Sequence, residues 1–145
     1  MSHVVTIQLK VKDLAALEAA AKELGGELVR GQTTYKWFGQ WMNDFHADNA
    51  AYKTVDPNQF GKCDHAIRHP KCGYEIGLVK QADGSYMILA DEWGSGGLVP
   101  VFGQGMQKLK QHYSTNLVAN TMRKQGFMVS KSTDKAGNMV LNCTR

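Results

Sequence analysis

Two cysteines and two histidines stand close together between residues 61 and 72, and their side chains are the most reactive in the sequence. Thiolate sulfur and imidazole nitrogen are common zinc ligands in proteins. These residues predict, as an alternative, zinc as a cofactor with the ligands Cys63, His65, His69 and Cys72. Structural zinc sites usually combine ligand pairs from separated segments, so a site within one short loop would be strained. The other interpretation is an ordinary packed loop with no cofactor.

A catalytic interpretation of the same segment needs Cys63 as the nucleophile and His65 as its base, because the thiolate attacks and the thiol does not. No group that would orient the imidazole or stabilise an oxyanion can be assigned from the sequence. We therefore assign no catalytic residue, and an enzyme is not favoured. If the thiols pack rather than bind metal, this segment is expected against the sheet, near the strand that precedes Gly94. The candidate binding residues are then Cys63, Asp64, His65, Asp91 and Trp93.

Positive charge is concentrated in the C-terminal part of the chain, although the net charge is only +4 over 145 residues. After Trp93 the one acidic residue is Asp134, whereas seven lysines and arginines occur there. A surface of one sign attracts an anionic partner such as nucleic acid. The residues proposed for that interface are Lys108, Lys110, Arg123 and Lys124. A solvated helix face without a partner is the alternative.

Hydrophobic periodicity predicts the elements that position these groups. Residues 5–11 alternate between apolar and polar side chains, as in a half-buried strand. Asp13 is placed to cap a helix that ends at Gly25-Gly26. A second strand is predicted from Glu27 to about Tyr35. No period is found between residues 37 and 70, which indicates an irregular insertion.

The second half of the chain predicts two hairpins separated by a long helix. Residues 74–90 alternate around an Asp83-Gly84 turn, and the helix that follows ends at Gly126. Residues 127–141 predict the closing hairpin, with its turn around Gly137-Asn138. The predicted fold class is α+β, a mainly antiparallel sheet with two helices packed on one face and an irregular insertion after the second strand. We expect a single domain over residues 1–145.

The composition favours a cytoplasmic protein with no membrane partner. No apolar run approaches the ~20 residues of a membrane helix. The first residues alternate like a strand and lack the basic stretch and apolar core of a secretory signal. The three cysteines form an odd set in a chain long enough to fold without disulfides, which suits reduced thiols.

Several short motifs resemble those of a known family. They are the opening Met-Ser-His, Thr6-Ile7, Lys12-Asp13-Leu14, Tyr74-Glu75-Ile76-Gly77, Ala90-Asp91-Glu92-Trp93-Gly94, Gln111, Tyr113 and Gln125-Gly126-Phe127. The family is the hypothetical chloroplast reading frame type, a domain of unknown function of red-algal plastids, cyanobacteria and tailed phages. Residues 61–67 resemble its phage branch.

The resemblance implies a shared fold and a phage or cyanobacterial origin, with the host-cell cytosol as the location if a phage encodes the protein. It implies no reaction. Cys63 and His65 belong to the family's pattern, whereas His69 and Cys72 do not, so a four-ligand zinc site would be peculiar to this chain.

Together these observations favour a small non-enzymatic binding or accessory protein, whose partner is a host protein or an anionic molecule. The first alternative is a nucleic-acid-binding module that uses the basic C-terminal surface. The second alternative is a zinc-binding protein that uses residues 63–72.

Overall fold

The structure is a computed structural model that describes residues 4–37, 61–92 and 94–145. The predicted insertion therefore lies mostly outside the described residues, as does the candidate binding residue Trp93. The strands in the described residues are β1 (Val4–Val11), β2 (Glu27–Arg30), β3 (His65–Arg68), β4 (Ile76–Lys80), β5 (Tyr86–Asp91), β6 (Met128–Thr133) and β7 (Met139–Thr144). The helices are α1 (Leu14–Glu23), α2 (Leu98–Phe102) and α3 (Gln107–Lys124).

Strands β1 to β5 form one sheet in the order β1-β5-β4-β3-β2, and every neighbouring pair is antiparallel. Strands β6 and β7 form a separate antiparallel pair, termed here the C-terminal hairpin. This arrangement confirms the predicted α+β class with a mainly antiparallel sheet. Within the described ranges, no helix is both long and apolar enough to cross a bilayer.

Helix α1 begins and ends where the sequence indicates. The Asp13 carboxylate accepts a hydrogen bond of 3.0 Å from the backbone N–H of Ala16, which satisfies an otherwise unpaired donor of the first turn. At the other end, the N–H groups of Gly25 and Gly26 donate to the carbonyls of Lys22 and Ala21. Gly25 has a φ of +86°, the left-handed conformation that such a helix end requires and that glycine adopts without strain.

Helices α1 and α3 pack together and cover one face of the five-stranded sheet. The buried side chains of this layer are Val11, Ala16, Leu17, Ala20, Ala21, Leu28, Ile67, Ile76, Leu78, Ile88, Ala90, Leu98, Phe102, Met106, Leu109 and Tyr113. Full burial of each large apolar side chain stabilises a protein by roughly 1.5–3 kcal/mol. This layer therefore provides most of the apolar burial that holds the sheet and the helices together.

The opposite side of the sheet, termed here the second face, carries a smaller apolar cluster. Tyr35, Ala66 and Leu89 are buried in this cluster. Trp37, Cys63, Val79 and Met87 pack around it. The two faces follow from strand alternation, because Gly77 and Val79 of β4 point away from the helices that Ile76 and Leu78 contact.

Polar contacts hold the C-terminal hairpin against α1 and α3. The Lys131 ammonium donates to the carboxylate of Glu23 at 3.3 Å and to the side-chain oxygen of Asn116. The Asn116 amide donates to Glu23 at 2.7 Å, and His112 Nδ1 lies 3.4 Å from the same carboxylate. Glu23, His112, Asn116 and Lys131 are termed here the Glu23 network. One carboxylate thus joins three elements.

Two parts of the sheet differ from the sequence prediction. The second strand, expected to reach about Tyr35, ends at Arg30 because Gly31 adopts a φ of +81° and turns the chain. Residues His65–Arg68, expected within the irregular insertion, form strand β3 between β2 and β4. Four residues are too few to show an alternating pattern, so this strand has no clear signal in the sequence.

Candidate functional site

A surface cavity of about 560 Å³ lies at the end of the sheet where β2 begins and β3 ends. Its lining residues are Gly25, Gly26, Glu27, Lys36, Arg68, His69, Pro70, Cys72, Gly73 and Glu75. Small-molecule sites in proteins typically occupy ~300–1,000 Å³, so the volume suits a small ligand. This feature is termed here the strand-end cavity.

Charged side chains of both signs line the strand-end cavity. Glu27 and Arg68 are directly opposite in the β2–β3 register, and Arg68 Nη2 lies 3.7 Å from the Glu27 carboxylate. Both side chains are more than half exposed, so water and salt weaken their attraction. Lys36 forms no ion pair with a residue that the structure describes. The cavity therefore offers two cations that are only weakly held by other protein groups.

Glu75 contributes a carboxylate that is only 8% exposed. Its Oε1 atom accepts hydrogen bonds from the backbone N–H of Lys36 at 2.9 Å and from the side-chain amide of Gln32 at 3.0 Å. The backbone N–H of Glu75 in turn donates to the Lys36 carbonyl. These bonds hold the segment after β2 across the start of β4, and they place Lys36 at the cavity.

The loop between β3 and β4 forms a wall of the cavity. His69 Nε2 lies 3.0 Å from the Leu24 carbonyl, and Nδ1 accepts the backbone N–H of Lys71 at 3.0 Å. These partners assign the ring proton to Nε2, which donates to Leu24. The Cys72 thiol donates to the Gly97 carbonyl at 3.2 Å. The wall is thus bonded to the end of α1 and to the residue before α2, which indicates a preformed cavity.

Tyr35 lies on the second face, next to the segment that carries Lys36. Its ring packs on Gly77 so closely that no Cβ could be added there. The side chain is 3% exposed, and its hydroxyl has no hydrogen-bond partner among the residues that the structure describes. Burial raises the pKa of Tyr35 to about 12, which the nearby backbone of Gly61 offsets only in part, so the phenol stays protonated at neutral pH.

Cys63 packs on the second face, and its thiol donates to the Gln32 carbonyl at 3.2 Å. Burial raises the pKa of this thiol to about 11, and the nearby carboxylates of Asp64 and Glu75 raise it as well. A nucleophilic cysteine needs the opposite shift, because only the thiolate attacks. The surroundings of Cys63 therefore suit a packed thiol.

His65 is not directed at Cys63. Its Nδ1 atom accepts the backbone N–H of Gly31 at 2.9 Å, and its Nε2 atom lies 3.3 Å from the Tyr86 hydroxyl. The His65 and Tyr86 rings also pack at a centroid distance of 5.3 Å. Both nitrogens thus bind groups other than the thiol, and the structure does not form the Cys63–His65 pair that a nucleophile would need.

The remaining candidate binding residues lie apart from the strand-end cavity. Asp64 accepts the backbone N–H of Lys80 at 2.7 Å and thereby joins the start of β3 to the end of β4. Asp91 is fully buried at the end of β5, close enough to Tyr35 to raise the pKa of its hydroxyl. Trp93 lies outside the described residues.

The structure does not bring the alternative zinc ligands together. In residues 4–37, 61–92 and 94–145, no three side chains of His, Cys, Asp or Glu converge as a metal site requires. His69 and Cys72 both line the strand-end cavity, whereas Cys63 packs on the second face. All three cysteines are free thiols. Zinc binding stays a prediction that elemental analysis of protein prepared without chelators would test.

The four basic residues proposed for nucleic acid lie at the two ends of α3. Lys108 and Lys110 belong to its first turns, and Arg123 and Lys124 to its last turn. Lys108 and Lys124 are about 24 Å apart along the helix axis at a rise of ~1.5 Å per residue. They do not form a single patch, but the second pair stands directly before the C-terminal hairpin.

Sequence reasoning missed the charged residues of the cavity, which are Glu27, Lys36, Arg68 and Glu75. One signal was present, because Glu75 is an acid directly beside the apolar strand residues 76–79. An acid at such a position is rarely buried without a partner. The pairing of Glu27 with Arg68 had no signal, since strand β3 itself was not predicted.

These features define a class of protein. It is an α+β protein with helices on one face of an antiparallel sheet and a charged, preformed cavity at the strand ends.

The chain belongs to the family described as "Protein of unknown function (DUF1257)", which matches residues 42–141. The matched range covers more than half of the chain and includes Arg68, the cavity wall and Glu75, whereas α1 and β2 precede it. The predicted membership in a domain family of unknown function is therefore confirmed. No curated protein and no solved structure gives a match.

Proposed function

We propose that this protein is a non-enzymatic binding protein that holds a small zwitterionic ligand in the strand-end cavity. The observation that carries the proposal is the presence of two cations and two carboxylates around one cavity of small-ligand size. Amino acids and short peptides present an ammonium and a carboxylate close together. Their charges are complementary to such a lining.

Lys36 and Arg68 would bind the ligand's carboxylate. The Arg68 guanidinium has several N–H donors and makes only one long, exposed contact with Glu27. A guanidinium can bind a carboxylate through two parallel hydrogen bonds, which favours a planar anion over a spherical one. Lys36 adds a second positive charge from the opposite segment of the cavity.

Glu75 and Glu27 would bind the ligand's ammonium. Glu75 is the stronger of the two, because a mostly buried carboxylate interacts with a charge through less water than an exposed one. Its hydrogen bonds to Lys36 and Gln32 hold the carboxylate in place before a ligand arrives. A preformed site loses less entropy on binding than a mobile one.

Calorimetric titration with dialanine and its blocked forms tests the proposal. The free dipeptide should bind. The N-acetylated and C-amidated forms should each bind about tenfold more weakly, the equivalent of ~1.4 kcal/mol for the lost charge, and the doubly blocked form about a hundredfold more weakly. Arg68→Gln and Glu75→Gln should each weaken binding of the free dipeptide by the factor expected for one lost charge.

Arg30→Gln is the matched control. Like Arg68, Arg30 is an exposed strand arginine that pairs with a glutamate, but it does not line the cavity. This variant should leave binding unchanged. Equal binding of the doubly blocked dipeptide, or no binding of free amino acids and dipeptides at millimolar concentration, would contradict the proposal. If the protein hydrolysed the dipeptide and Glu75→Gln abolished that hydrolysis, the protein would be an enzyme and not a binding protein.

The origin and location of the protein are further parts of the proposal. The resemblance of residues 61–67 to the phage branch supports a phage or cyanobacterial origin and an accessory role toward a host protein. The three free cysteines support the reducing cytosol as its location.

A further inference from the structure

We infer that the C-terminal hairpin is a DNA-binding ribbon whose outer face enters the major groove of a duplex. The inference is independent of the proposed ligand cavity, which lies at the strand ends of the other sheet. It also replaces the basic surface predicted along α3, since Arg123 and Lys124 lead directly into the hairpin, whereas Lys108 and Lys110 lie in the first turn of that helix.

The two faces of the hairpin differ in composition. The inner face consists of the cross-strand pairs Val129–Cys143, Lys131–Leu141 and Thr133–Met139. The outer face consists of the pairs Met128–Thr144, Ser130–Asn142 and Ser132–Val140. All six outer side chains are exposed, and Met128 is 75% exposed. The outer face is thus a free ribbon surface of short polar side chains with one apolar residue near each end.

The charges around the hairpin are suited to phosphates. Arg123, Lys124 and Arg145 stand at its base, and Lys135 stands at its tip. Arg145 is held over the Phe127 ring at 4.5 Å. The one acid, Asp134, is turned toward the backbone of the tip, where it accepts the N–H groups of Ala136 and Asn138. The charge of Lys131 is offset by Glu23, with which it forms an ion pair at 3.3 Å.

Four cations against one carboxylate leave the hairpin and its base with a net charge of +3. These cations lie at the base and at the tip of the hairpin. Cations at both ends of a ribbon can bind the sugar-phosphate backbones while the ribbon lies between them.

The dimensions and side chains of the ribbon favour duplex DNA over other polyanions. Paired strands lie ~4.8 Å apart, and the major groove of B-DNA, about 12 Å wide, admits a two-stranded ribbon. Asn142 and Ser130 form the central outer pair, and asparagine can bind the edge of adenine with two hydrogen bonds. Two separate apolar side chains, Met128 and Val140, are too few for the apolar centre of a protein interface.

Fluorescence anisotropy of the full chain with a labelled mixed-sequence DNA duplex of about 20 base pairs tests the inference. Binding should weaken from about 50 to 200 mM NaCl, with a slope of log K against log salt between about −3 and −4. Lys135→Ala and Arg145→Ala should each make that slope less steep by about 1. Asn142→Ala should weaken binding and leave the slope unchanged, because its side chain would face bases and carries no charge.

Lys108→Ala and Lys110→Ala are the matched controls, since they remove the same charge at the far end of α3. They should leave both affinity and slope unchanged. An RNA duplex of the same sequence should bind more weakly, because its deep, narrow major groove does not admit the ribbon. Equal affinity for the RNA duplex, an equal loss in Lys108→Ala and Lys135→Ala, or no DNA binding at about 50 mM NaCl would overturn the inference.

Discussion

Two buried tyrosines show how the partner of a single hydroxyl decides its effect on stability. Tyr113 is 2% exposed, and its hydroxyl accepts the backbone N–H groups of Lys12 and Asp13 at 3.0 and 3.3 Å. It thereby joins α3 to the connection between β1 and α1. Tyr35 is buried as deeply, but its hydroxyl has no partner among the described residues. A buried polar group without a hydrogen bond costs stability, whereas a bonded one does not.

Replacement of each tyrosine by phenylalanine should therefore have opposite effects. Tyr35→Phe should raise the free energy of unfolding by about 1 kcal/mol, because it removes a desolvated hydroxyl and keeps the ring on Gly77. Tyr113→Phe, the matched control, should lower it by about 1–3 kcal/mol, because two backbone donors lose their acceptor. Urea unfolding followed by circular dichroism measures both. An equal loss of stability in the two variants would show that the Tyr35 hydroxyl has a partner.

Residue-scale geometry also explains why the conspicuous cysteines and histidines do not form a reactive centre. The Cys63 thiol and both His65 nitrogens bind different groups, and burial raises the pKa of Cys63 to about 11. The residues proposed to bind a ligand, Arg68 and Glu75, are of types that occur on every protein surface. They differ from other surface residues because they line the same cavity.

At the scale of elements, the Glu23 network determines how the C-terminal hairpin is attached. Burial raises the pKa of the Glu23 carboxyl, but hydrogen bonds from Asn116, Lys131 and His112 and the charge of Lys131 outweigh that effect. The pKa of Glu23 is therefore lowered from its ordinary value of 4.5. A lowered pKa means that the folded state stabilises the charged carboxylate.

The lowered pKa of Glu23 determines how its contribution to stability depends on pH. The contribution of Glu23 is present above the ordinary pKa of 4.5 and is lost as the pH falls through the lower pKa of the folded state. Glu23→Gln should lower the free energy of unfolding by about 1 kcal/mol at pH 7. The difference from the unaltered protein should shrink at acidic pH.

Thermal unfolding of both proteins from pH 7 to pH 3 measures this effect. Glu18→Gln is the matched control, because Glu18 forms an exposed pair with Arg30 at 3.5 Å and has no other polar partner in the part of the chain that the structure describes. Exposed pairs contribute little, so this variant should change stability less at every pH. A Glu23→Gln difference that is constant with pH would contradict the assignment.

At the scale of the whole molecule, the apolar layer and the C-terminal hairpin are separable. The layer between the helices and the five-stranded sheet contains no buried residue from β6 or β7. The hairpin instead contacts α3 and, through Lys131, the end of α1. The inferred DNA-binding element thus adds no buried residue to this layer, and Lys131 joins it to Glu23 and Asn116.

A chain that ends at Gly126 should accordingly keep the fold of the five-stranded sheet. Its unfolding should stay cooperative, with a lower midpoint because Glu23 and Asn116 lose Lys131. Near-ultraviolet circular dichroism and thermal unfolding measure both properties, and the truncated chain should bind dialanine as the full chain does. Loss of cooperative unfolding would show that the hairpin is part of the core.

Local physical chemistry made much of the fold predictable from the sequence. Asp13 and Gly25 mark the ends of α1 because capping depends on groups within one or two turns. The hairpins around Asp83-Gly84 and Gly137-Asn138 follow from turn residues between alternating strands. Strand β3 escaped prediction, since its four residues owe their conformation to the neighbours on both sides.

The sequence by itself thus determined the order of elements, the α+β class and the concentration of positive charge near the C-terminus. Only the tertiary structure decided where a ligand could bind. The cavity residues Glu27, Lys36, Arg68 and Glu75 come from separate segments that share no local pattern. Hydrogen bonds and strand pairing between distant residues bring them together. These contacts stabilise the protein only after the long loops between them have closed, so no local sequence pattern reveals them.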